Sequence, residues 1–132
     1  MQKPIVFSLI ESPSHPKLSK LFSELGYEEM QFFSVRKAIN ALKKYKPDVI
    51  VVQFFYAFST NYASNHISNL DSLIITLQKY SDYKPMFIFL ASKKDYQYIN
   101  QLTSHYEGFS SSNHSLILPV TEEQVRAILP SA

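Results

Sequence analysis

The sequence predicts an α/β domain of the doubly wound kind, a parallel five-stranded sheet with helices on both faces. Short, nearly continuous apolar runs recur along the chain, the pattern of strands buried on both faces. Between them lie segments whose apolar residues follow the i, i+3, i+4, i+7 period of an amphipathic helix. The two kinds alternate as five βα units. Buried strands joined through helices require parallel pairing with right-handed crossovers. No linker or shift of composition interrupts the 132 residues, so residues 1–132 read as one domain.

Pro4-Ile5-Val6-Phe7-Ser8-Leu9-Ile10 is the first strand segment. Leu18, Leu21, Phe22 and Leu25 form the first helical stripe, with Pro16 suited to its first turn and Gly26 to its C-terminal stop. Met30-Gln31-Phe32-Phe33 is the weakest strand, short enough for an edge. Val35, Ala38, Ile39 and Leu42 make the second stripe after Ser34 as N-cap. Lys43, Lys44 and Lys46 follow where the helix dipole favours cations, and Pro47 ends the segment.

Asp48-Val49-Ile50-Val51-Val52 is the third strand, rich in β-branched residues. Leu70, Leu73, Ile74 and Leu77 form the third stripe, with Ser68 three residues before Asp71 near its start. Met86-Phe87-Ile88-Phe89-Leu90 is the fourth strand. Tyr96, Ile99, Leu102 and Tyr106 sketch the fourth helix after Ser92, closing near Gly108. Leu116-Ile117-Leu118, stopped by Pro119, is the last strand. Thr121-Glu122-Glu123-Gln124 matches a capping box that opens a short final helix with Val125, Ile128 and Leu129 inward.

Composition removes whole classes of chemistry. With 45% apolar and 18% charged residues, the chain is globular and not a disordered tail. A formal charge of +2 is too slight to argue for nucleic acid or an anionic membrane. The absence of Cys excludes disulfides, thiolate metal sites and thiol nucleophiles. Gly26 and Gly108 are the only glycines, which excludes a Gly-rich phosphate loop. Apolar runs shorter than ten residues cannot span a bilayer, and the N-terminus lacks the apolar stretch of a signal peptide, so the expected location is the cytoplasm.

In open parallel sheets ligands bind beyond the carboxyl ends of the strands, where strand order reverses. Those positions are Glu11 to His15, Gln53 to Tyr56, Ala91 to Lys94, and Pro119 with Val120. The set is chemically thin. Magnesium needs oxygen ligands, commonly carboxylates, and Glu11 is the one obvious candidate. A serine nucleophile needs a base within reach, and His15 beside Pro16 reads as part of a helix start. His66, His105 and His114 show no ligand spacing, and a solvated surface role is expected for each. No catalytic set, metal or cofactor is expected.

At these same positions the chain resembles the receiver domain of bacterial response regulators, the CheY-like family. Lys46-Pro47-Asp48-Val49-Ile50-Val51-Val52 is similar to the run into the family's third strand. Phe87-Ile88-Phe89-Leu90-Ala91-Ser92-Lys93 is similar to its fourth strand and following turn, and Leu25-Gly26-Tyr27 to the end of its first helix. Leu118-Pro119 falls where the family has Lys-Pro. The resemblance covers essentially the whole chain. It implies a flavodoxin-like (βα)5 three-layer sandwich with strand order 2-1-3-4-5.

The departures define a degenerate phosphoacceptor site, a pseudo-receiver. The family's phosphorylated Asp aligns with Gln53, and a carboxamide is neither nucleophile nor anionic metal ligand. The acidic pair after the first strand is reduced to Glu11. The switch Ser or Thr aligns with Ala91, the phosphate-pairing Lys with Leu118, and the switch aromatic falls near Ser115. Neither phosphorylation nor magnesium dependence is expected.

One element is added. Residues 53–68 form a strand-to-helix loop far longer than the usual 2–6 residues. Its Phe54, Phe55, Tyr56, Phe58 and Tyr62 argue against disorder, because aromatic side chains gain much by burial. The loop reads either as a lid of extra core over the vacated phosphate pocket or as a partner-binding surface.

The resemblance therefore implies a non-enzymatic module that binds a protein of a signalling system or a second copy of itself. Receivers commonly use the fourth helix, fifth strand and fifth helix as output face, where this chain carries Lys93, Lys94, Tyr96, Tyr98, Gln101 and Arg126. The alternative is small-molecule sensing, with the five aromatics lining a pocket and Gln53 as polar anchor. Nucleic-acid binding through Lys43, Lys44 and Lys46 has a competing local explanation in the helix dipole.

Overall fold

The computed structural model describes residues 3–56, 68–80, 85–106 and 113–129. Five strands, β1 (Ile5–Leu9), β2 (Glu28–Phe32), β3 (Val49–Gln53), β4 (Met86–Ala91) and β5 (His114–Ile117), form one sheet in the order β2-β1-β3-β4-β5. Every pairing is parallel. All five residues of central β3 are buried, whereas β2 and β5 at the edges are half-exposed. The expected architecture and strand order are those observed.

Alternation along the strands sorts the side chains into two cores. Phe7, Leu9, Ile50, Val52, Phe87 and Phe89 face one side of the sheet. There they meet α2 (Val35–Ala41), α3 (Asp71–Leu77) and α5 (Ile99–His105) through Ala38, Leu73, Ile74, Leu77 and Leu102. Val6, Val49, Val51, Ile88 and Leu90 face the other side and meet α1 (Ser19–Glu24) and α6 (Glu122–Arg126) through Leu21, Phe22 and Val125. Each such Leu or Phe contributes about 1.5–3 kcal/mol on burial, so both faces of the sheet drive folding.

The helix ends follow their local chemistry, with two departures. Ser34 caps α2 by accepting from the Lys37 amide at 3.2 Å, and Thr121 with Gln124 completes the capping box of α6. Gly26 turns the chain after α1 at φ 87°, a left-handed value that a side chain would disfavour. Pro16, however, lies outside the first turn, because α1 begins only at Ser19, after Leu18 as its N-cap. Ser68 does not cap α3 directly. Its amide and hydroxyl donate to Asp71 Oδ1 at 2.6 and 2.9 Å, and its oxygen accepts from Leu70 N.

The expected fourth helix is divided. A turn at Gln97–Tyr98 separates α4 (Lys93–Tyr96) from α5, with Tyr98 N bonded to Asp95 O and Gln101 N to Tyr98 O. These three-residue spacings tighten the coil and break the 3.6-residue stripe. Tyr96 is consequently 37% exposed instead of inward, while Ile99 and Leu102 remain in the core.

Candidate functional site

The carboxyl ends of β1, β3 and β4 meet around Gln53, the last residue of β3, which lies opposite Leu90 of β4. Its side chain is 4% exposed and points into the crevice at Ser14. The amide nitrogen donates to Ser14 Oγ at 3.1 Å, and the same hydroxyl lies 3.3 Å from the amide oxygen. Ser14 is held in turn by Ser12, whose Oγ lies 2.8 Å away and accepts from the Ser14 amide. A Ser-Pro-Ser-His turn, closed by His15 N donating to Ser12 O, thus covers the end of the central strand.

Asn69 closes the crevice from the other side. Its Nδ2 donates to Gln53 O at 2.9 Å and to Glu11 Oε1 at 2.8 Å, while its Oδ1 accepts from Phe55 N at 2.8 Å. One carboxamide therefore joins the segment after β1, the end of β3 and the start of α3. Sequence reasoning missed this residue. Its partners lie 14, 16 and 58 positions away, and only its place just before a helix hints at a polar role.

The other residues expected at this site are placed as follows. Glu11 is exposed and bound to Asn69. Ala91 ends β4 fully buried and carries no polar atom beyond its backbone. The neighbouring Ser92 commits its hydroxyl to capping α4 through Asp95 N. Leu118 donates its amide to Ala91 O and packs toward the α1–α6 core, followed by a cis bond to Pro119. Among the described residues, no group of three or more His, Cys, Asp and Glu side chains could hold a metal ion. Among the described residues, the crevice is lined by amides and hydroxyls together with the Glu11 carboxylate, which accepts from Asn69.

The aromatic loop divides at its stem. Phe54 is fully buried in the α2–α3–α5 core, so it is neither pocket lining nor contact surface. Tyr56 stacks on Tyr98 with ring centroids 3.9 Å apart and planes 6° from parallel, and its hydroxyl lies 3.4 Å from Gln101 Oε1. Phe55 is half-buried, and an antiparallel bridge between Tyr56 and Ser68 closes the stem. Phe58 and Tyr62 lie outside the described residues.

Behind the stem sits a buried carboxylate. Asp71 accepts from Ser68 through Oδ1 and from the Tyr106 hydroxyl through Oδ2 at 2.5 Å. Burial, then the bond to Asp71 and its negative charge, push the Tyr106 phenol well above its ordinary value.

The residues expected on the output face differ in exposure and partners. Lys93, Lys94 and Tyr96 are exposed on α4, but Tyr98 is turned inward onto Tyr56. Arg126 is held by Glu24 of α1 at 2.9 Å and by Glu123 at 3.5 Å, on the opposite face of the sheet. The basic run after α2 also has intramolecular partners: Lys44 Nζ lies 5.6 Å from the Tyr45 ring and Lys46 Nζ 4.0 Å from the Tyr80 ring.

Two of the histidines also differ from expectation. His15 is buried in the turn before α1 and is not part of the helix, and His114 is half-buried on β5. His105 is exposed, and His66 lies outside the described residues.

No protein-family description matches this sequence, and no curated protein matches it. Similarity appears only in three dimensions. Chemotaxis response regulator CheY4 of Vibrio cholerae superposes with a TM-score of 0.63 at 16% identity, covering 97% of this chain and 100% of that one. The receiver domain of Francisella response regulator 1452 gives 0.61 at 18% identity over 95% and 93% of the two chains. Response regulator TrrA of Thermotoga maritima, a structure in complex with Mg²⁺ and beryllofluoride, gives 0.59 at 18% identity over 96% and 99%. The fold is that of CheY-like receiver domains.

Proposed function

We propose that this chain is a receiver-like module that works without phosphorylation, binding a protein partner in a cytoplasmic two-component-like pathway. The observation that carries this reading is Gln53. A carboxamide ends the central strand, where an acyl-phosphate would need a carboxylate oxygen, and Ser14 and Asn69 occupy its side-chain and backbone hydrogen-bonding positions. Magnesium chemistry is disfavoured by the same count, since Glu11 is the crevice's carboxylate and already accepts from Asn69. Among the described residues, the crevice hydroxyls of Ser12 and Ser14 bond to each other and to Gln53, which supports a binding role.

The test is chemical. The purified protein is incubated with acetyl phosphate and Mg²⁺ and followed by intact mass and amide NMR, with beryllofluoride in a parallel sample. The expected result is no phosphoryl adduct and no resonance shift around β3. A stoichiometric adduct, or saturable shifts with beryllofluoride, overturns the reading. The small-molecule alternative loses Phe54 to the core and Tyr56 to the stack on Tyr98, and no observation favours it.

A further inference from the structure

His15 is an unusual side chain for its position. It is 8% exposed, and its Nδ1 is buried without a hydrogen-bond partner. It sits one residue from Ser14, the hydroxyl that seals Gln53. Its own amide closes the turn by donating to Ser12 O at 3.1 Å. The imidazole is therefore the buried anchor of the segment that covers the crevice.

A neutral ring can leave Nδ1 as an unpartnered acceptor, but an imidazolium must bury Nδ1 as an unpartnered donor together with a charge. With Nδ1 already lacking a partner, the protonated ring gains more from water than from its pocket. The charged side chain whose field reaches it is Glu29 of β2, which favours the proton. That carboxylate is already shared between Ser8 Oγ at 2.7 Å and Ser19 Oγ at 2.5 Å. Glu11 and Lys17, on the ring's own segment, are exposed. Burial outweighs the attraction of Glu29 and holds the His15 value below its ordinary 6.5.

We infer that the Ser12–His15 turn is an acid-opened latch: protonation expels the His15 ring, releases Ser14 from Gln53 and uncovers the crevice at the end of β3. This mechanism is independent of whether the domain takes up phosphate. The sign follows from linkage. A depressed histidine value means that the closed form binds fewer protons than the open one. The closed form is then fully favoured above about pH 6.5 and loses ground as pH falls from there to the depressed value. Each unit of depression shifts the closed-to-open ratio tenfold over that window.

The experiment is a pH titration of the full chain from 7.5 to 4.5 by NMR. It reads the His15 ring protons and the exchange rate of the Gln53 side-chain amide protons. The expected result is a His15 midpoint below 6.5 and Gln53 exchange, corrected for its intrinsic pH dependence, that rises with the same midpoint. His15→Phe keeps an apolar ring in the pocket without a titrating nitrogen, and it removes the Gln53 transition. A His15 midpoint at or above 6.5 overturns the latch, as does a flat Gln53 response through that midpoint. So does a His15→Phe variant that keeps the transition, which would assign it to another group. The wild-type titration decides the matter even where the variant fails to fold.

Discussion

Replacing Tyr106 by Phe removes one oxygen from the structure and leaves the ring in place. That oxygen donates to Asp71 Oδ2 at 2.5 Å, and Asp71 has no solvent exposure. Hydrogen bonds to a charged group are worth about 1.5–3 kcal/mol, and a buried carboxylate deprived of a donor sits at the upper end. Tyr106→Phe is therefore expected to cost about 2–3 kcal/mol, a fall in Tm of roughly 6–12 °C for a domain of this size. Urea unfolding followed by circular dichroism measures the loss. Asp71→Asn and the double variant complete a cycle whose coupling energy is expected to be about 1.5 kcal/mol or more. The pH dependence provides a second reading. The Tyr106 phenol is raised above its ordinary 10.0, so between that value and its native one the folded state keeps a proton that the unfolded chain has released. Stability then falls as pH rises past about 10, and the gap between wild type and Tyr106→Phe narrows there. Tyr27, also raised by burial, titrates in both proteins and cancels in the difference. A loss below about 0.5 kcal/mol with negligible coupling would refute the assignment of this pair as the anchor of α3 against α5.

Other contacts can be tested in the same way. Asn69→Ala removes three hydrogen bonds and leaves Phe55 N without its acceptor; the expected cost is about 2–3 kcal/mol, with faster hydrogen exchange at Phe55. Tyr56→Leu and Tyr98→Leu should show a coupling of about 0.5–1.5 kcal/mol in a double-mutant cycle, and additivity would mean that the stack contributes nothing specific. Arg126→Ala breaks an exposed pair with Glu24, so the melting temperature should barely move, and any small loss should vanish in high salt. Phe22→Ala, in the α1 core, should cost about 3–5 kcal/mol; a near-neutral result would contradict the packing of α1 on the sheet.

The sequence by itself determined the layers of this protein. Runs such as Val49–Val52 and Phe87–Leu90 are apolar at every position because both faces of the sheet are covered, and that pattern survives without knowledge of partners. Ser34 and Thr121 were legible as caps because a cap bonds an amide only three residues away. That a carboxamide, Gln53, ends the central strand was legible for the same reason, since it needs only a position along one strand. Tertiary structure decided everything that depends on two distant segments meeting. The joining of Glu11, Gln53 and Phe55 by Asn69, the burial of Asp71 against Tyr106, and the turning of Tyr98 onto Tyr56 join residues up to 58 positions apart. A polar or aromatic side chain looks the same in one dimension whether it faces water or a partner across the fold. Only the fold supplies the partner, and with it the sign of the energy.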